Sequence, residues 1–216
     1  MLKLPIKAGK VHNLTDARFF AAWGVRWLGF QLSSEAPNFI DPIQMKAIRE
    51  WVEGPFITGE FKSEDAAYIC EMVDVLELQA VQVERYADLP ALGELLAVPI
   101  IQRIVPESIA ELDSLEYHLS RQSPFVDLFF LDLETNKISW SDLVAAGSKL
   151  IDKLCRWEEE YALLYSFYQL APEDLEPLIA KLQPHGLHFV GGAEEKVGFK
   201  SFDELNDLFE ELEVQM

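Results

Sequence analysis

Cysteine is scarce in this chain: Cys70 and Cys155 are the only two in 216 residues. Each falls in an amphipathic helical pattern without CxxC or Cys/His spacing, which argues against a disulfide or a metal site and leaves two reduced core thiols. Basic residues are also few, 18 Lys and Arg against 37 Asp and Glu, for a formal charge of −19. With no basic patch to override that average, nucleic acid and anionic membrane surfaces are not expected partners. Acidic stretches such as SFDELNDLFEELEV read as solvated helix faces, with a basic protein partner as the other reading. No apolar run approaches the ~20 residues that cross a bilayer, and MLKLPIKAGK lacks the apolar centre of a secretory leader, so a cytoplasmic location is expected. No Ser/Gly/Pro-rich linker interrupts the chain, and residues 1–216 are read as a single domain.

What the chain does contain is a repeat of two periods. Apolar strand-like runs begin near Leu4, Trp27, Phe56, Ala80, Pro99, Val126, Ala162 and Leu187. Helix-like segments follow each, starting near Thr15, Pro42, Ser63, Asp88, Glu107, Ser139, Pro172 and Ser201. Alternating strand and helix patterns specify a parallel sheet. Runs such as FVDLFFL and YALLYSFY are apolar on both faces, as strands covered on both sides must be. Eight such units predict an α/β fold, a compact (β/α)8 barrel, with an open doubly wound sheet as the alternative. Start and stop chemistry agrees: Asp41-Pro42 offers an N-cap followed by proline, Ser63-Glu64-Asp65 a capped acidic first turn, and Gly24 a helix stop.

Barrel enzymes carry their chemistry at the C-terminal strand ends. The polar residues there are Lys7 and Gly9 on the first strand, Gln31 on the second and Gln82 and Glu84 on the fourth. Gln102 or Arg103 ends the fifth strand, Asp132 the sixth and His188 the eighth. Alternation puts Gln82 and Glu84 on one face, so both can point into the mouth. Gly191, Gly192 and Gly198 follow the last strand, where backbone amides can hold an anion. His12 and Asn13 precede the first helix and read as its cap.

These residues resemble phosphoribosylanthranilate isomerases, (β/α)8-barrel enzymes of tryptophan biosynthesis that perform an Amadori rearrangement. KAGKVHNLTDA lies without gaps on the family opening KICGITxxEDA, sharing Lys7 and Asp16-Ala17. LGFQLSSEAPNFIDPIQM follows LGFxFxxxSPRxVxPxxA with Leu28, Gly29, Phe30, Pro37 and Pro42 in place. Ala80-Val81-Gln82 matches the AVQ of AVQLHG, and Phe130-Leu131-Asp132 the LLD ending strand six. GGAEEKVGFKSFDEL is similar to SSGVExxPGxKDxxKI through Gly192, Glu194, Gly198 and Lys200.

The resemblance implies that the cysteine after strand one is the general base and the strand-six aspartate the general acid. The acid position is Asp132, but the base position is Gly9, which cannot accept a proton. The next family glycine is Lys10, the arginine of SPR is Asn38, and the HG after AVQL is Glu84-Arg85. Two glycine-rich phosphate loops are replaced, by LETNKIS before Trp140 and by Tyr168-Gln169. The expectation is a family barrel without the parent reaction that binds a small molecule, phosphorylated or not, or a protein at its mouth. Candidate catalytic residues are Asp132, His188 and Lys7, with Lys7 paired to Asp132 or Glu84, and candidate ligand contacts are Asn38, Gln82, Glu84, Gly191 and Gly192. No metal or cofactor is expected, and the chain is expected to be a monomer or homodimer. Two alternatives stay open: an enzyme of changed specificity, such as a sugar-phosphate isomerase or an aldol-type enzyme, using Asp132 with His188 or Lys7, and a true isomerase with a substituted base.

Overall fold

The apolar runs pair in parallel and close on themselves. In the computed structural model, which describes residues 1–191, 194–196, 199–200 and 202–214, the order β1 to β8 forms a closed barrel. Its strands are β1 (Ile6–Gly9), β2 (Trp27–Gln31), β3 (Phe56–Glu60), β4 (Ala80–Glu84), β5 (Ile100–Ile104), β6 (Leu128–Asp132), β7 (Leu163–Ser166) and β8 (Gly186–Val190). The barrel closes through β1 and β8, with Lys7 opposite His188 and Gly9 opposite Val190. The helices are α1 (Leu14–Ala22), α2 (Pro42–Arg49), α3 (Ala66–Leu76), α4 (Leu89–Leu95), α5 (Ile109–Leu112), α6 (Leu115–Gln122), α7 (Trp140–Ala145), α8 (Ser148–Glu160), α9 (Pro172–Leu182) and α10 (Asp203–Leu212).

Side-chain caps set five of the ten described helix starts. Asn13 accepts the Asp16 amide at 2.8 Å and Asp41 the Ile43 amide at 2.8 Å, with Pro42 supplying the fixed φ of a first helical position. The cap of α3 is Asp65, which accepts the Tyr68 amide, so the start expected near Ser63 moves three residues on, to Ala66. Two crossovers carry paired helices where one was expected, α5 with α6 and α7 with α8. A short antiparallel hairpin, β9 (Glu194–Lys196) with β10 (Phe199–Lys200), stands where the sequence reads as a glycine-rich loop.

Two apolar bodies result from the two faces of each strand. The larger lies between barrel and helices, with Phe20, Met45, Leu131, Tyr165 and Phe209 among its fully buried members. The smaller fills the barrel itself: Trp27, Ala80, Ile101, Leu128, Phe130 and Leu164. Alternation then fixes the next inward positions toward the mouth, which are Gln82 and Glu84 on β4, Arg103 on β5, Asp132 on β6, Ser166 on β7 and His188 on β8. Gln102 points outward, to the His118 ring on α6 and the Arg85 carbonyl, each at 3.0 Å.

Candidate functional site

Polar side chains cap the interior plug, and most of them are held by one another. Lys7 is completely buried and pairs with Glu60 at the end of β3. The pairing with Asp132 or Glu84 expected from the sequence is therefore corrected. The cause is local space: a Cβ on Gly29 of β2 would lie 2.7 Å from Lys7 Nζ and 2.8 Å from the Glu60 carboxyl carbon, so only glycine leaves room for the ion pair. Burial pulls the Lys7 ammonium below its usual range, and the Glu60 carboxylate opposes that shift. The Lys10 amide donates to the other Glu60 oxygen at 3.2 Å. Lys10 reaches that position with φ 53°, the left-handed backbone that glycine adopts freely.

Asp132 is the most heavily bonded carboxylate of the mouth. Arg103 reaches its Oδ2 through Nε at 2.9 Å and Nη2 at 2.5 Å. Thr135 donates its amide to Oδ1 at 3.0 Å and its hydroxyl to Oδ2 at 2.8 Å, and Ser166 adds its hydroxyl to Oδ1 at 3.0 Å. Five donors meet a group with about four lone-pair sites. Burial alone would raise the carboxyl pKa, but the Arg103 charge and the Thr135 amide outweigh it and push the group down to about 2. The same guanidinium spans to Glu84 Oε1 at 2.8 Å, so β4, β5 and β6 are tied by one fork.

His188 lies between these two networks. Its ring packs on Phe130 with centroids 4.3 Å apart, and its Nδ1 is buried without a partner. Burial and the Lys7 charge hold it well below the usual imidazole range despite Asp132, so it is neutral at pH 7. A Cβ on Gly9 would come under 3.0 Å from His188 Nε2 and 3.0 Å from Glu60 Oε1. The imidazole thus occupies the room a side chain on Gly9 needs. Gln82 is buried with Oε1 unpartnered, and Thr58, one residue pair deeper on β3, has an unpartnered hydroxyl.

Beyond His188 a half-open cavity of about 680 Å³ extends between the β6–α7 and β7–α9 loops, β8 and α10. Glu134, Tyr168, Gly191, Glu204, Leu205 and Asp207 line it. Burial and neighbouring Asp132 raise the Glu134 carboxyl, against Lys10. Gly191 packs against the Asp16 carboxylate, whose atoms lie 3.0 Å from where a Cβ would stand. A second cavity of about 500 Å³ lies between the β3 and β4 loops, with Lys62, Glu64, Glu84 and Arg103 on its wall.

Of the residues named from sequence, Lys7, Gln82, Glu84, Asp132 and His188 converge, and Gly191 rims the larger cavity. Asn38 does not converge: it is exposed in the β2–α2 loop with φ 64°. Gly192 and Gly198 lie outside the described residues. Sequence reasoning missed Glu60, Thr135 and Ser166. Glu60 alternates with inward Thr58, a signal available once the phase of β3 is known. Among the described residues, no group of three or more His, Cys, Asp or Glu is placed to hold a metal ion. Cys70 and Cys155 are free and part-buried. No helix among the described residues is long and apolar enough to cross a membrane.

Comparison with known proteins places these features in a family. Residues 7–211 match the family model described as N-(5'phosphoribosyl)anthranilate (PRA) isomerase. A curated relative, N-(5'-phosphoribosyl)anthranilate isomerase of Synechococcus sp. (strain JA-2-3B'a(2-13)), is 27% identical over 223 residues, covering 98% of this chain and 91% of the relative. The crystal structure of phosphoribosyl anthranilate isomerase from Thermotoga maritima superposes with a TM-score of 0.74 at 19% identity, covering 97% of this chain and 98% of that one. A phosphoribosyl anthranilate isomerase in complex with reduced 1-(o-carboxyphenylamino)-1-deoxyribulose 5-phosphate matches with a TM-score of 0.71 at 18% identity and the same coverage.

Proposed function

This chain belongs to the PRA isomerase family of tryptophan biosynthesis, and from that premise we infer that it is a member without the family's Amadori isomerase activity, one that binds a small molecule at the barrel mouth. The supporting observation is the state of Asp132. A general acid must carry a proton at working pH and release it in the transition state. Asp132 is ionised far below neutrality and its lone pairs are taken by Arg103, Thr135 and Ser166. The base position, Gly9, has no group to accept a proton, and its side-chain space is filled by His188. Loss of general acid or base catalysis costs ~10²–10⁴-fold for each group.

The test is a fluorescence assay of phosphoribosylanthranilate turnover with purified protein, alongside growth of a tryptophan auxotroph lacking the isomerase. No turnover and no growth are expected. Turnover that disappears in Asp132→Asn would overturn the reading in favour of an isomerase with a substituted base. A second reading, an acid/base enzyme of changed specificity, draws on one observation, the neutral His188, which lines the larger cavity and keeps a buried, unpartnered Nδ1. It requires a sugar-phosphate substrate whose conversion is lost in His188→Gln.

A further inference from the structure

We propose that the last turn of α8, β7 and the turn before β8 form a pH-sensitive latch: an uncharged Glu158 holds them together, and its ionisation frees the helix end and displaces the Phe167 wall of the larger cavity. This adds regulation to the ligand-binding reading above and, in its bearing on ligands, rests on it.

Helical phase sets the arrangement. Glu158 follows buried Leu154 by one turn and buried Ile151 by two, so it shares the face of α8 that packs inward. A carboxyl is thereby carried in among apolar side chains. Its Oε1 is buried without a partner, while Oε2 accepts the His185 amide at 3.2 Å. The hydroxyl of Tyr165, a fully buried residue of β7, stands beside the carboxyl and likewise makes no hydrogen bond of normal geometry. Among the described residues no cation acts on Glu158. A buried carboxylate without a countercharge is costly, so the closed arrangement accepts the neutral acid.

The surrounding groups leave Glu158 as the one that titrates just above neutrality. Burial and the Glu158 charge push Tyr165 well above its usual range, and burial raises the Cys155 thiol, whose Sγ lies 3.2 Å from the Lys181 carbonyl. Burial and the Arg26 charge hold the His185 imidazole below its usual range, so it is uncharged above pH 7. Burial pushes Glu158 itself up to about 8, against the Tyr165 hydroxyl and the His185 and Leu163 amides. The folded-state value is raised, so the latch is closed below that pH and opens above it. Once charged, the half-buried side chain is driven toward the solvent it already borders. Tyr165 carries the change to the cavity. Its ring stacks on Phe167, with centroids 5.7 Å apart and planes 9° from parallel, and Phe167 lines the larger cavity beside Trp140.

NMR of the full chain between pH 6 and pH 9 tests this, on the native protein and on Glu158→Gln. The Glu158 ¹³C carboxyl signal is expected to titrate with a midpoint of about 8, and the Tyr165 and Phe167 ring signals to move with the same midpoint. The open fraction, read from hydrogen exchange of the His185 amide against that of Glu158→Gln, is expected to rise from about a tenth at pH 7 to about nine-tenths at pH 9. Glu158→Gln keeps the neutral shape and is expected to show none of these changes. A native carboxyl midpoint below about 6, or Phe167 signals that stay still while Glu158 titrates, would overturn the proposal whether or not the variant folds. Failure of the non-catalytic reading registers separately, as turnover in the isomerase assay.

Discussion

Replacing Asp132 by asparagine keeps the shape of the side chain and removes its charge. The native carboxyl has its pKa moved from an ordinary 3.8 to about 2. A shift of that size corresponds to about 2 kcal/mol of stabilisation of the folded chain. The sign follows from the direction. Because the folded-state value is depressed, the contribution is fully present above pH 3.8 and is lost as pH falls through about 2. Asp132→Asn also leaves Arg103 with Glu84 alone and sets an amide against the Thr135 and Ser166 donors, a cost that does not vary with pH. The stability difference between the native chain and Asp132→Asn, from urea unfolding at a series of pH values, should therefore be flat from pH 7 to about 4. It should then shrink by about 2 kcal/mol toward pH 2. Carboxylates that do not interact with Asp132 cancel in the difference, and making the comparison in a Glu134→Gln background removes the carboxyl that the Asp132 charge raises. A difference that stays constant down to pH 2, or a ¹³C carboxyl signal of Asp132 that titrates near 4, would refute the reasoning and return Asp132 to the pool of available acids.

Other expectations follow from the same contacts. Lys7→Met leaves Glu60 charged and unpaired in the barrel and should cost roughly 3–5 kcal/mol in denaturant unfolding, with much of it recovered when Glu60→Met is added. Gly9→Cys, which restores the family's base, should lose about 1–3 kcal/mol through its clash with His188 and give no turnover, since Asp132 stays locked. Lys10→Gly relieves a left-handed backbone and should raise stability by about 1 kcal/mol, read as a higher midpoint with unchanged m. Glu158, in the last turn of α8, is pushed up to about 8 by burial. It therefore lowers stability as pH rises from about 4.5 through 8, and Glu158→Gln should flatten that decline by roughly 2 kcal/mol.

The barrel was legible because its signals are periodic: eight apolar runs, each followed by a helical pattern, admit few other architectures. The inward convergence of Gln82, Glu84, Asp132 and His188 was legible for the same reason, since alternation fixes which strand residues share a face. Their partners were not. IIQRI is apolar on both flanks, so its phase is ambiguous, and only register against β4 decides that Arg103 faces in while Gln102 meets α6. The Lys7–Glu60 pair depends on Gly29, a residue on the strand between them, and no spacing in the chain announces a cavity made by a missing Cβ. The β9–β10 hairpin was read as a loop because two- and three-residue strands carry almost no pattern.

Gly29 shapes more than a single ion pair. The space it leaves lets a lysine and a glutamate settle where a reacting mouth would hold water, and the Arg103 fork ties three neighbouring strands just beside them. The end of the barrel that ordinarily trades stability for chemistry thus carries a brace of ion pairs. On the reading proposed above, a step toward the family reaction taken one substitution at a time must first weaken the fold: a cysteine at Gly9 collides with His188, and freeing Asp132 leaves Arg103 with Glu84 alone. Under that reading the arrangement works as a ratchet, so selection for isomerase activity would have to move several residues together.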